Sequence, residues 1–174
     1  MRLAPVPIMF VDTPEKAISL SGEQSKTTHG AVECIDASKI FGAILVRALQ
    51  GGRNIERVLI SETKSNKPPS SLRLKDIAGG KYFGFERKQI KGSGYVVESL
   101  EAALWCFYTT NNFRDAVLAA ANLGDDADTT AAITGQVAGA FYGEAAIPRK
   151  WLDTVVMAKE IGEMAEQLSQ TGAR

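Results

Sequence analysis

The densest chemistry in the chain lies in seven consecutive residues, Gly124-Asp125-Asp126-Ala127-Asp128-Thr129-Thr130. Three carboxylates and two hydroxyls crowd together there, and such hard oxygen donors suit Mg²⁺, Mn²⁺ or Ca²⁺ rather than zinc. The run that follows, from Ala131 to Gly143, carries no charged residue and is expected to be a buried helix. Carboxylates at the mouth of a buried helix repel one another and lose hydration unless a cation joins them. Metal ligation by Asp126 and Asp128, with Thr129 adding an oxygen, is one reading. Helix capping is the other, because Asp and Thr at a helix N-terminus satisfy free N–H groups and complement the macrodipole. A cap needs one such residue, and the additional charges are what capping leaves unexplained. An EF-hand does not fit, since the loop has no glycine at its sixth place followed by a distal glutamate.

Three further features could serve a ligand or shape its site. His29, the single histidine, follows Ser25-Lys26-Thr27-Thr28 just before a long apolar pattern. It reads either as a structural helix-end residue or as part of an anion site at a helix N-terminus. Gly92-Ser93-Gly94-Tyr95 is either an ordinary turn into a helix or a close backbone approach to a ligand, with Tyr95 stacking on a flat ring. Gly135, Gly139 and Gly143 recur every four residues. A glycine inside a helix costs about 1 kcal/mol relative to alanine, so this stripe predicts a second helix packed very close. Gln136 is the odd polar residue of that helix and should bond a neighbouring backbone group.

These residues sit in a chain of 174 amino acids, 45 % of them hydrophobic, enough for one domain with a substantial core. Basic and acidic residues number 20 each, which argues against a nucleic-acid or membrane surface. No apolar run approaches the roughly 20 residues that span a bilayer. Cys34 and Cys106 fall in helical apolar patterns and read as small buried hydrophobes, so a reducing cytoplasm is the expected location.

The elements that must hold the site are all helical. Thr13 and Pro14 start a short helix over 14–20, followed by a polar loop over 21–30. Apolar spacing predicts a long helix over 31–49, stopped by Gly51-Gly52, and a shorter one over 54–61. Residues 63–71 read as an exposed loop. A weak helix over 74–78 ends at Gly79-Gly80. Further helices are expected at Val96–Tyr108, over 113–122 behind an Asn112 cap, over 129–142, after Pro148, and over 155–168 on the surface. No strand or internal repeat is evident, so the class is all-α and residues 1–174 form one domain.

Taken together, the segments resemble the ADP-ribosylglycohydrolase family. The match is carried in order by Met1-Arg-Leu-Ala-Pro-Val, Ser25-x-x-Thr28-His29-Gly30, Gly94-Tyr-Val-Val-Glu-Ser-Leu-Glu-Ala-Ala-Leu-Trp105, Gly124-x-Asp126-Ala-Asp128-Thr129 and Ile147-Pro-x-x-Trp151. The resemblance implies an all-α, orthogonal multi-helix fold and a dinuclear Mg²⁺ or Mn²⁺ site. It implies hydrolysis of the bond between ADP-ribose and a protein side chain or small acceptor. It makes Asp126, Asp128 and Thr129 metal ligands and Asp126 and Asp128 catalytic carboxylates. His29 is implied near the ligand's phosphates, and Gly94 and Tyr95 at its adenosine end.

The family's other acidic run, Asp-Asp-Thr-like, has no counterpart in this chain. The expectation is therefore a C-terminal portion, a single partial domain whose N-terminal helices are missing. Its metal site would be incomplete, Val6, Ile8 and Phe10 would be uncovered, and the absent segment would be a partner. Competing readings are a non-catalytic relative of the jellyfish lens crystallin type, an ADP-ribose-binding remnant, and a metal-dependent phosphohydrolase of unrelated ancestry. The last is disfavoured by the single histidine.

Overall fold

The computed structural model describes residues 1–60 and 69–172. Ten α-helices and no strand occur among them. The helices are α1 (Pro5–Met9), α2 (Pro14–Lys26), α3 (Val32–Leu49), α4 (Ile55–Leu59), α5 (Leu72–Ala78), α6 (Val96–Tyr108), α7 (Phe113–Ala121), α8 (Ala127–Tyr142), α9 (Arg149–Leu152) and α10 (Ala158–Gly172). Local signals set many of their ends. The Asn54, Ser71 and Asn112 side chains accept from the backbone N–H of Arg57, Leu74 and Asp115 at 2.9, 3.3 and 2.8 Å, each satisfying a donor that the first helical turn leaves free. After α5, Gly80 turns the chain at φ 76°.

Several expected boundaries shift by a residue or two, and two move further. The polar loop expected over 21–30 is instead helical as far as Lys26, because Ser21, Gly22 and Ser25 are buried in α2 and pack as small residues rather than as loop. The surface helix begins at Ala158, after a turn in which Met157 takes φ 61°. Of the loop expected over 63–71, residues 63–68 lie outside the described residues.

The core is centred on α3. Ile40, Ile44 and Leu45 pack there with Val97, Leu104 and Phe107 of α6 and with Val137 and Ala138 of α8. Thr134 Oγ1 donates to Ala103 O at 3.3 Å, joining α8 to α6 through a buried hydroxyl. The glycine stripe behaves differently from its expectation. Cβ atoms added at Gly135 and Gly139 would stand 3.9 and 3.8 Å from Val117 and Phe113 of α7, which is ordinary contact. Gly143 lies beyond the helix, at φ 80°. The tight approach is between α2 and α3, where a Cβ on Gly42 would run into Ser21 Oγ.

Gln136 does what its isolation in α8 implies. Its Oε1 accepts from Ala4 N at 2.9 Å and its Nε2 donates to Met1 O at 2.6 Å, lashing residues 1–4 along α8. Val6, Ile8 and Phe10 are half-buried rather than uncovered, because α10 lies against α1. Among the described residues, no helix is long and apolar enough to cross a membrane.

Candidate active site

Where the N-terminal segment, the end of α2 and the starts of α3, α6 and α8 converge, they enclose a cleft of about 670 Å³. His29, Gly94, Tyr95, Asp126 and Thr129 all line it. Asp128 does not; it is exposed in the first turn of α8.

The start of α8 is an unusual piece of backbone. Gly124 and Asp125 both adopt left-handed conformations, at φ 79° and 56°, a region a non-glycine residue enters at a cost that Asp bears better than most. This double turn delivers Asp126 to the N-cap position, yet its carboxylate makes no capping bond. Capping therefore does not account for Asp126. Its backbone N–H donates to Gly92 O at 2.9 Å, and Arg87 donates to Leu123 O at 3.2 Å. A Cβ on Gly92 would sit 3.3 Å from Gly124 O, and one on Gly94 would sit 3.5 Å from Asp126 Oδ2. Glycine at 92 is what lets the two loops meet.

The loop before α6 is fixed by charge. Ser93 Oγ donates to Glu98 Oε2 and accepts from Tyr95 N at 3.3 Å, and Ser99 Oγ donates to Ser93 O at 2.6 Å. Arg73 holds both Glu98 and Glu101 at 3.2 Å. The Ser93 hydrogen bond, with Arg73 behind it, keeps the Glu98 carboxyl below the usual carboxylate range. Burial pushes Glu101 the other way, against the pull of Arg73.

At the opposite wall, Ser25 Oγ donates to His29 O at 3.0 Å and closes the turn after α2. Thr28 Oγ1 lies 2.9 Å from His29 Nδ1 and accepts from Arg2 Nη2 at 2.8 Å. Arg2 thus brings a fixed positive charge beside the histidine. The sequence reading gave Arg2 no role, although it falls in a matched segment, because nothing local ties residue 2 to residue 28. Glu33 was missed likewise. It lines the cleft and accepts from the Tyr95 hydroxyl at 2.6 Å, a bond that raises the phenol above its usual range.

For a cation, α8 offers the Asp126 carboxylate and, one turn on, Thr129. Among the described residues no group of three or more His, Cys, Asp or Glu side chains is placed to hold a metal. Mg²⁺ commonly takes one or two carboxylates and keeps several waters, so this pair fits part of a Mg²⁺ or Mn²⁺ shell.

A sequence model of the ADP-ribosylglycohydrolase family matches residues 1–174. The chain belongs to the ADP-ribosylglycohydrolase family. ADP-ribosylarginine hydrolase Tri1 of Serratia proteamaculans is 41 % identical over 97 % of this chain and 44 % of its own length. The Pseudomonas putida protein of the same name is 40 % identical over the same shares. A solved structure titled "ADP-ribosylglycohydrolase-related protein complex" superimposes with a TM-score of 0.86 at 34 % identity, covering 99 % of this chain and 59 % of that one. The chain thus spans less than half the length of the two Tri1 hydrolases.

Proposed function

We propose that this chain forms one wall of a metal-dependent ADP-ribosyl hydrolase site acting on ADP-ribosyl-arginine or a similar conjugate. One observation carries the reading. Residues from four separate stretches of sequence meet in a single cleft, and each has chemistry suited to one part of ADP-ribose. Arg2, Thr28 and His29 supply a cation and donors for the diphosphate. Gly94 and Tyr95 supply an open backbone and an aromatic face for the adenosine. Asp126 and Thr129 supply hard oxygens where the scissile ribose would lie. The two hydrolases at about 40 % identity support arginine as the acceptor.

Asp126 and Thr129 would hold Mg²⁺ or Mn²⁺, which when bound polarises the ribose hydroxyls and lowers the pKa of a bound water. The Asp126 carboxylate oxygen would also accept a proton from that water. Arg2 and His29 would orient the diphosphate and so present C1″ to that end of the cleft.

A two-metal site takes more carboxylates than the cleft receives from α8. We therefore expect the chain alone to release ADP-ribose from ADP-ribosyl-arginine poorly. We expect Mg²⁺-dependent release to appear when the part of a relative that this chain does not match is supplied. Binding without turnover under both conditions would favour the ADP-ribose-binding remnant, a reading to which the outlying position of Asp128 lends some weight. Robust release by the chain alone would overturn the incomplete-site account.

A further inference from the structure

Tyr95 is held by two independent devices. Its backbone is fixed from behind through Ser93, Glu98 and Arg73. Its ring, 43 % exposed at the cleft, is tethered at the phenol by Glu33 from the first turn of α3. The two residues are 62 positions apart, so this bond closes the cleft between α3 and α6 rather than stabilising either helix. A phenol donating to a carboxylate is a short, charge-assisted hydrogen bond. An exposed aromatic ring without such a tether must be ordered when a ligand arrives, and that ordering opposes binding.

We propose that Glu33 is a positioning residue that locks the Tyr95 ring as a preformed plate for the base of a nucleotide ligand. It thereby sets affinity for the base-bearing half of ADP-ribose and leaves the phosphate–ribose half alone. The diphosphate donors Arg2 and Thr28 belong to another wall and bond each other, not Glu33 or Tyr95. The inference rests on the ADP-ribose reading of the cleft.

Calorimetric titration of the full chain with Mg²⁺ tests it, using ADP-ribose and ribose 5-phosphate as ligands and thermal melts as a check on folding. Glu33→Ala and Tyr95→Phe should each weaken ADP-ribose binding by about five- to tenfold, the cost of ordering one side chain. The double variant should lose no more than either single one. Glu33→Gln keeps an acceptor oxygen and should stay within about twofold of the unaltered chain. Ribose 5-phosphate should bind all variants equally. Losses that add, that affect both ligands alike, or that Glu33→Gln shares in full would overturn the positioning role. ADP-ribose binding indifferent to Glu33 would overturn it while leaving the proposed function standing. No ADP-ribose binding by the unaltered chain, alone or with the unmatched part of a relative supplied, would overturn both.

Discussion

Helices α8 and α10 are nearly equal in length, at 16 and 15 residues, yet they differ sharply in how they pack. In α8, Thr130, Ile133, Thr134, Val137 and Ala138 are buried, and the helix is pressed between α6 and α7. No residue of α10 is buried, and Ile161 and Met164 are about half exposed. The alternation of charge and apolarity is nevertheless cleaner in α10. Amphipathic pattern shows that a helix has two faces; it does not show how much of the apolar face finds a partner. Small side chains such as Thr130, Thr134 and Ala138 let α8 enter the core between its neighbours. That burial is also what fixes Asp126 and Thr129 at the cleft.

The largest expected effect lies in the packing that holds α8. Phe107 of α6 is fully buried and meets Phe141 and Tyr142 of α8 edge-on, with ring centroids 5.4 and 5.8 Å apart. Phe107→Ala should cost about 3–5 kcal/mol, read as a lower urea midpoint at unchanged slope. A loss below about 1 kcal/mol would mean that α6 and α8 do not depend on each other.

The glycines sharpen the picture next. Gly139→Leu should cost about 1–3 kcal/mol by overpacking against Phe113. Gly139→Ala should instead stabilise by about 0.5–1 kcal/mol, since a methyl fits and helical glycine is entropically expensive. Gly42→Ala should destabilise despite being the same chemical change, because Ser21 occupies the space. If both alanines shift the melting temperature the same way, the α2–α3 and α7–α8 spacings have been misassigned.

At the cleft end of α8, Asp126→Asn should weaken Mg²⁺ or Mn²⁺ binding by roughly tenfold or more, since even residues behind a metal's ligands cost that much. Asp128→Asn should do far less, given its exposure outside the cleft. Equal isotherms for the two variants would show that position in the cleft does not separate these carboxylates.

How much of this was legible in the sequence follows the range of the interactions. The cap at Asn112 and the span of α6 depend on neighbours within a few residues, and the sequence reading found them; the cap at Asn54 it placed inside its helix. The helical run from Ser21 to Lys26 was missed because its hydroxyls are polar by type but buried by packing on α3, as where Ser21 meets Gly42. The glycine stripe suggested close contact on α8, but the tight contact belongs to Gly42 of α3, where a single glycine in an apolar helix draws no notice. In the cleft, His29, Gly94, Tyr95, Asp126 and Thr129 were named in advance and do converge. Arg2 and Glu33 were not, since their partners Thr28 and Tyr95 lie 26 and 62 positions away, and no local pattern encodes that distance.

A modest acid-side effect should come from the charge pair behind Tyr95. Glu98 is held low by Ser93 and then Arg73, so its folded form favours the carboxylate. That stability is fully present above the ordinary carboxylate value of about 4.3 and is lost as pH falls through the lower folded value. Glu101, held high by burial, contributes with the opposite sign and blunts the net slope. Glu98→Gln should therefore flatten the urea midpoint between about pH 5 and 3, and an unchanged acid limb would mean that Ser93 and Arg73 do not grip this carboxylate.

The smallest effect belongs to α10, and it decides whether the opening contrast is real. Ile161 is half exposed and Met164 slightly more so, and the preceding turn leaves Val156 82 % exposed. A side chain that keeps half its surface in water has little transfer free energy to lose. Ile161→Ala should thus change unfolding free energy by no more than about 0.5 kcal/mol, as is usual for surface substitutions, and alanine's better helix propensity offsets part even of that. The chemically similar truncation at Ile44, which is fully buried in α3, should cost about 2–5 kcal/mol in the same assay. The ratio between the two is the measurement that matters. If Ile161→Ala costs more than about 1 kcal/mol, or lowers the melting temperature only at high protein concentration, the apolar face of α10 is covered in solution and the contrast with α8 fails.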